Sequence, residues 1–197
     1  MIGVINYGAG NVGSVLRAIQ FLGHPAEAVE DAKLLKAADR LILPGQGHFG
    51  SMMEALESKK MIAPLRELMV GGKPFLGICL GLQALYESSE EAPDRPGFGF
   101  LPGHVKRFEG VFKIPHLGWS QLEIHSQNGL FEGVADGSFA YFCHSYYGPV
   151  TEETTVVTEY GQNFAAALRV GSVYAVQFHP EKSGDLGLKV LENFLKS

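Results

Sequence analysis

The chain has 197 residues, 46% of them hydrophobic, and a formal net charge of −5. That length suits one domain over 1–197 with a sizeable core, and the mildly acidic balance argues against a nucleic-acid binder, which carries a basic face. No apolar run is long enough to span a bilayer, the first residues lack the basic start of a secretion signal, and Cys79 and Cys143 supply no disulfide framework, so a cytoplasmic setting away from membranes is expected.

In chain order, residues 2–6 form a short apolar run bounded by glycine, a buried strand. Asn11 is placed to cap a helix carrying Val12, Val15, Leu16, Ile19 and Leu22 on one face, with Gly23 past its end. Strands follow at 26–29 and 40–43, the second stopped by Pro44-Gly45. A helical pattern then covers about 52–70, interrupted near Pro64. Residues 74–78 read as the next strand and 80–86 as the next helix. After Ser88 the texture changes. Residues 90–103 are acidic, then rich in proline and glycine, and read as a loop. Segments 105–108, 122–124, 139–143, 155–159, 164–169 and 173–178 look like antiparallel strands, and 186–195 like a closing helix. The expected fold is α/β: a mostly parallel central sheet flanked by helices, with an additional antiparallel sheet in the C-terminal half.

Two segments carry chemistry. Gly77-Ile78-Cys79-Leu80-Gly81-Leu82-Gln83 has the logic of a nucleophile elbow, with small residues two before and two after the cysteine and a helix starting at Leu80 that would aim its dipole at the sulfur. In Gln177-Phe178-His179-Pro180-Glu181, histidine and acid stand two apart, so on a strand both would point to one face. Cys79, His179 and Glu181 together offer nucleophile, base and orienting carboxylate. Taken singly, each also reads as an ordinary core or surface residue. Cys143-His144 is a rival pair, but adjacent strand residues face opposite ways, so Cys143 reads as a buried strand thiol. The glycine-rich Leu43-Pro44-Gly45-Gln46-Gly47-His48 follows a strand, and its amides, with that of Leu80, are candidate oxyanion donors. Gly8-Ala9-Gly10-Asn11-Val12-Gly13, with Glu30 and Asp31 further on, also matches a dinucleotide-binding fingerprint, but that reading leaves the elbow without a role. The seven histidines show no metal-ligand spacing, and no cofactor is expected.

The elbow and the His179-Pro180-Glu181 element resemble the class I (triad) glutamine amidotransferases, and the similarity runs from the first strand to the last helix. The resemblance implies a flavodoxin-like fold and hydrolysis of L-glutamine through a cysteinyl thioester, with the ammonia passed to a synthase. It makes Cys79 the nucleophile, His179 the acid/base and Glu181 its orienter. It puts Gly47 in the oxyanion loop and assigns Gln83, Glu91, Ser145 and Tyr146 to the substrate. Residues 6–11, 113–119 and 144–146 further resemble a branch whose partner is a cyclase subunit built as a (βα)8 barrel. By that likeness Asn11, Pro115, His116, Trp119 and Lys182 meet the partner in a heterodimer, although Trp119 also reads as core and Lys182 as a solvated charge. Two positions depart from that pattern: Gln46 where valine is more usual, and Ser120 where asparagine usually follows the tryptophan. The alternatives are an amidotransferase serving another synthase, such as anthranilate or aminodeoxychorismate synthase, a free-standing thiol hydrolase, and a nucleotide-binding module.

Overall fold

The computed structural model of the chain describes residues 1–110, 112–127 and 129–197. Its first half alternates β1 (Ile2–Ile5), α1 (Val12–Phe21), β2 (Ala26–Val29), α2 (Ala32–Ala37), β3 (Arg40–Gly45), α3 (Phe49–Ser58), α4 (Ile62–Val70), β4 (Phe75–Cys79) and α5 (Leu80–Gln83). Then come β5 (Ser88–Ser89), β6 (His104–Arg107), β7 (His116–Gln121), β8 (Glu123–Ile124), β9 (Phe139–His144), β10 (Tyr146–Tyr147), β11 (Thr154–Glu159), β12 (Asn163–Val170) and β13 (Val173–Val176), a 3-10 turn at Pro180–Lys182, and α6 (Gly184–Lys196).

Among the described residues the main sheet runs β2-β1-β3-β4-β13-β12-β11-β8. From β2 to β13 the pairings are parallel; from β13 to β8 they are antiparallel. The antiparallel strands therefore extend the parallel sheet. Two smaller sheets stand beside it, an antiparallel β7–β9 pair and a β10-β6-β5 group. Alternate strand residues feed two cores. Val4, Ile42, Leu76 and Val176 pack with Val15, Ile19, Leu191 and Phe194. Ile5, Leu41, Leu43 and Phe75 pack with Phe49, Met52, Leu56 and Leu65. Burial on both faces is why these strands read as unbroken apolar runs.

Several boundaries differ from the sequence reading. β3 continues through Pro44-Gly45. The Leu41 amide bonds to Pro74 O towards β4, so alternation turns the position of the missing Pro44 N–H towards β1, whose pairing with β3 has ended at Val4↔Ile42. The 52–70 pattern is two helices, parted at Lys59–Met61 where Lys60 adopts φ 55°. Pro64 sits in the first turn of α4, where a missing amide is tolerated. The α2 helix was not anticipated; Asp31 caps it by accepting from Leu34 N at 2.8 Å. Residues 116–121, outside the segments read as strands, form β7, paired Trp119↔Tyr141 with β9.

Candidate active site

β3, β4 and β13 lie side by side with Gly45↔Cys79, Pro44↔Ile78 and Val176↔Ile78 in register. Three segments thus leave the sheet at one level: Gln46-Gly47, Cys79, and Gln177-Phe178-His179. The carboxyl ends of parallel strands are where α/β sheets assemble their sites.

Cys79 holds φ 54° and ψ −107°, a conformation strained for any residue with a Cβ. Glycines make the turn possible by letting backbone touch backbone. A Cβ on Gly81 would lie 2.1 Å from Leu43 O, one on Gly77 2.5 Å from Gly81 O, and one on Gly45 2.4 Å from Leu80 Cβ. The helix expected over 80–86 is a single turn, α5. It ends because residues 98–101 claim its next carbonyls: Phe98 N bonds to Ala84 O, Phe100 N and Leu101 N to Leu85 O, and Gly99 N to Tyr86 O. One turn adds up few peptide dipoles, so the expected dipole support for the sulfur is small.

His179 and Glu181 do not lie on a strand. His179 precedes the 3-10 turn that contains Glu181. The turn still brings them together, with His179 Nδ1 3.0 Å from Glu181 Oε1. A carboxylate only accepts, so Nδ1 carries the proton and Nε2 is left for the thiol. The ring is pinned through its backbone as well. His179 N bonds to Tyr141 O, and Ser183 Oγ donates to His179 O at 2.7 Å while accepting from Tyr141 N. Burial pushes the His179 imidazole down, but hydrogen bonds to the Cys79 side chain and to Glu181 outweigh it and raise its pKa to about 10. Burial pushes Glu181 up, but His179 and Asn11 hold it below the usual carboxylate range.

Nine of the residues given a role in the sequence line one cavity of about 320 Å³, namely Gly47, Cys79, Leu80, Gln83, Glu91, Pro115, Ser145, Tyr146 and His179, with Gln46, Cys143 and His144 beside them. That is near the lower bound for small-molecule sites. A larger hollow of about 660 Å³ is lined, among the residues singled out, by Trp119 and Ser120. Gly47 adopts φ +103°, and the neighbouring Gln46 is exposed with its amide donated to Tyr7 Oη at 3.3 Å. Gln83 is buried and donates from Nε2 to Tyr146 O and to Gln177 Oε1. What it has left for a bound molecule is its carbonyl oxygen, an acceptor for an amide N–H. Glu91 accepts from Phe49 N at 2.7 Å and so holds the start of α3 at the cavity wall.

The residues assigned to a partner divide. Trp119 is 55% exposed on the outer face of β7–β9, and Lys182 is exposed with Nζ 6.0 Å from the Tyr141 ring centre. His116 is not on that surface. It is 2% exposed, with its ring stacked between Phe142 and Tyr160. Even positions of β7 point inward, and His116 is one of them. Asn11 leaves α1 without a side-chain cap and donates instead to Glu181 Oε1 at 3.1 Å. Cys143 is half-buried and lines the cavity, where a buried thiol was expected.

Sequence reasoning missed a histidine relay. His144 Nδ1 lies 2.8 Å from Tyr146 O, an obligate acceptor, so its Nε2 accepts from His116 Nδ1 at 3.1 Å. His116 Nε2 then accepts from Ser120 Oγ at 2.8 Å. Both rings are thereby neutral, and burial lowers their pKa values, to about 4 for His116 and about 3 for His144. The only sequence signal was alternation, which puts both histidines on inward positions of paired strands.

The Gly8–Gly13 loop has a structural use. Gly10, at φ +87°, approaches Pro44 O and Tyr7 Oη, and a Cβ there would meet them at 3.3 and 3.2 Å. The acids sought for a ribose are engaged elsewhere: Glu30 accepts from Asn6 Nδ2, and Asp31 caps α2.

Residues 4–197 match the family model described as glutamine amidotransferase class-I. A Desulfitobacterium hafniense protein named imidazole glycerol phosphate synthase subunit HisH is 47% identical over 100% of this chain and 94% of its own length. A Moorella thermoacetica protein of the same name is 46% identical over 98% of this chain and 93% of its own. A crystal structure described as a glutamine amidotransferase superposes with a TM-score of 0.78 at 21% identity, covering 99% of this chain and 97% of that one.

Proposed function

Since this chain belongs to the class I glutamine amidotransferase family, we propose that it is the glutaminase subunit of an imidazole glycerol phosphate synthase. In this reading it hydrolyses L-glutamine to glutamate and ammonia and supplies the ammonia to a cyclase subunit in histidine biosynthesis. The observation that carries it is the strained Cys79 turn in one cavity with His179, which Glu181 orients at 3.0 Å.

Cys79 gives its thiol proton to His179 Nε2, Sγ attacks the side-chain amide carbon of glutamine, and the oxyanion is held by amides near Gly47 and Leu80. His179 Nε2 gives its proton to the amide nitrogen as the C–N bond breaks, releasing ammonia and leaving a glutamyl thioester. Water then attacks the thioester and passes a proton to His179. The C–S bond breaks, and glutamate departs. The acid/base needs the high proton affinity that Cys79 and Glu181 confer on His179. Glutamine is met by Gln83, Glu91, Ser145 and Tyr146.

The partner is a (βα)8 cyclase barrel in a cytoplasmic heterodimer, and this chain serves it as one domain. Leu117, Trp119 and Phe139 are each more than half exposed on the outer face of β7–β9. Pro115, just before β7, and Cys143, in β9, line the cavity, so the ammonia exit is assigned to this side. The Gly45-Gln46-Gly47 peptide is the candidate switch between resting and active states.

The test is glutamate release by the purified chain, alone and with a cyclase subunit and its ribonucleotide ligand. Low activity alone and strong activation in the complex are expected, with Cys79→Ala inactive in both. Turnover by Cys79→Ala overturns the site. High activity without a partner points to a free hydrolase, and capture of a different synthase to another branch of the family.

A further inference from the structure

Gln177 is fully buried, between Val176 and Phe178, at the end of β13. A buried amide is unfavourable unless its polar atoms are matched, and an apolar side chain would fill this place at no such cost. Its atoms are matched in one sense only. Tyr146 O can only accept, so it takes the Gln83 amide nitrogen at 2.8 Å. That nitrogen also donates to Gln177 Oε1 at 3.1 Å, which turns the Gln177 nitrogen towards Cys79 Sγ, 3.5 Å away. The register agrees, since Val176 pairs with Ile78 and Gln177 follows beside Cys79. The chain of obligate roles leaves no alternative amide orientation that keeps every bond.

We propose that Gln177 is a further catalytic residue, an amide donor that stabilises the Cys79 thiolate independently of His179 and is oriented by Gln83 and Tyr146 O. The inference rests on Cys79 being the nucleophile. A hydrogen bond to the charged form of an acid favours that form. Besides His179 and Gln177, the sulfur faces Cys143 O at 3.9 Å, which can only accept from it and so favours the protonated thiol. Gln177 opposes that pull. After ammonia leaves, the same donor faces the thioester sulfur and eases its later departure as thiolate.

The experiment follows iodoacetamide alkylation of the full chain against pH, with Cys79 and Cys143 read separately by peptide mass. It requires no glutamine turnover, so it fails separately from the glutaminase reading. Gln177→Met removes the donor at similar size. Gln177→Glu keeps an acceptor for Gln83 but turns a carboxylate oxygen to the sulfur. The Cys79 profile is expected to move about one pH unit to the alkaline side in Gln177→Met and further in Gln177→Glu. That is about a tenfold slower alkylation at neutral pH, with Cys143 unmoved. A Cys79 profile that stays in place in either folded variant overturns the proposal, as does an equal shift at both cysteines, which marks a packing role.

Discussion

At the scale of single residues, the site depends on how polar atoms are committed. Glu181 Oε2 is buried without a partner among the described residues, so Oε1 receives the side-chain donors, His179 and Asn11. Asn11→Leu should therefore let the Glu181 carboxyl rise towards its ordinary value and loosen the histidine. We expect kcat for glutamine in the active complex to fall about tenfold, about 1.4 kcal/mol in the barrier. The acid limb of the pH–rate profile should also move to higher pH. An unchanged acid limb would mean that Asn11 serves only the partner surface. Cys79, His179 and Glu181 could be proposed as a set from the elbow and the His-x-Glu element, and the fold brings the three together. The Asn11–Glu181 bond, across 170 positions, was not legible. Asparagine before an apolar stripe has a local explanation as a helix cap, and only the packing of α1 beside the 3-10 turn offers it a stronger partner.

At the scale of elements, the strand–turn–helix around Cys79 is held by backbone contact across three strand ends. Gly81 is the tightest point, since a Cβ there meets a strand carbonyl, Leu43 O, that has no rotamer in which to retreat. Gly81→Ala should cost about 3 kcal/mol, the upper part of the usual range for overpacking. It should lower the urea midpoint without changing the slope; an unchanged midpoint would show that β3 and α5 can part freely. Small residues around Cys79 were visible in the sequence. Which element each one touches was not, because Gly81 is paired with Leu43 only by the β3–β4 register. The same limit explains the boundaries that moved. Pro44 stops a strand by local rules, yet β3 continues because its neighbour on that side has ended. α5 is short because residues 98–101, outside its own segment, take the carbonyls that follow it.

At the scale of the whole molecule, buried histidines set the pH range of stability. His116 and His144 have folded pKa values of about 4 and about 3, below the ordinary 6.5. Their contribution is present above pH 6.5 and lost as pH falls through the folded values, each by about 2 kcal/mol at pH 5. His179 has the opposite sign. Raised to about 10, its contribution is full below 6.5 and lost as pH climbs towards 10. Melting temperature should peak near neutral pH. His116→Phe retains the stacking on Phe142 and Tyr160 but takes the hydrogen-bond partner from His144 Nε2 and Ser120 Oγ, so it should be less stable at neutral pH yet show a shallower acid slope; an unaltered slope would remove His116 from the acid transition. The sequence by itself determined the α/β class and most strands and helices, and it singled out the thiol, the imidazole and the carboxylate that the fold brings together, because periodicity and motif spacing are local properties. Tertiary structure alone decided that His116 is buried, that Asn11 serves Glu181, that Gln177 faces the sulfur, and that the antiparallel strands extend the main sheet. Each of these depends on register and on which polar atoms meet once the strands lie side by side, and neither is encoded within one segment.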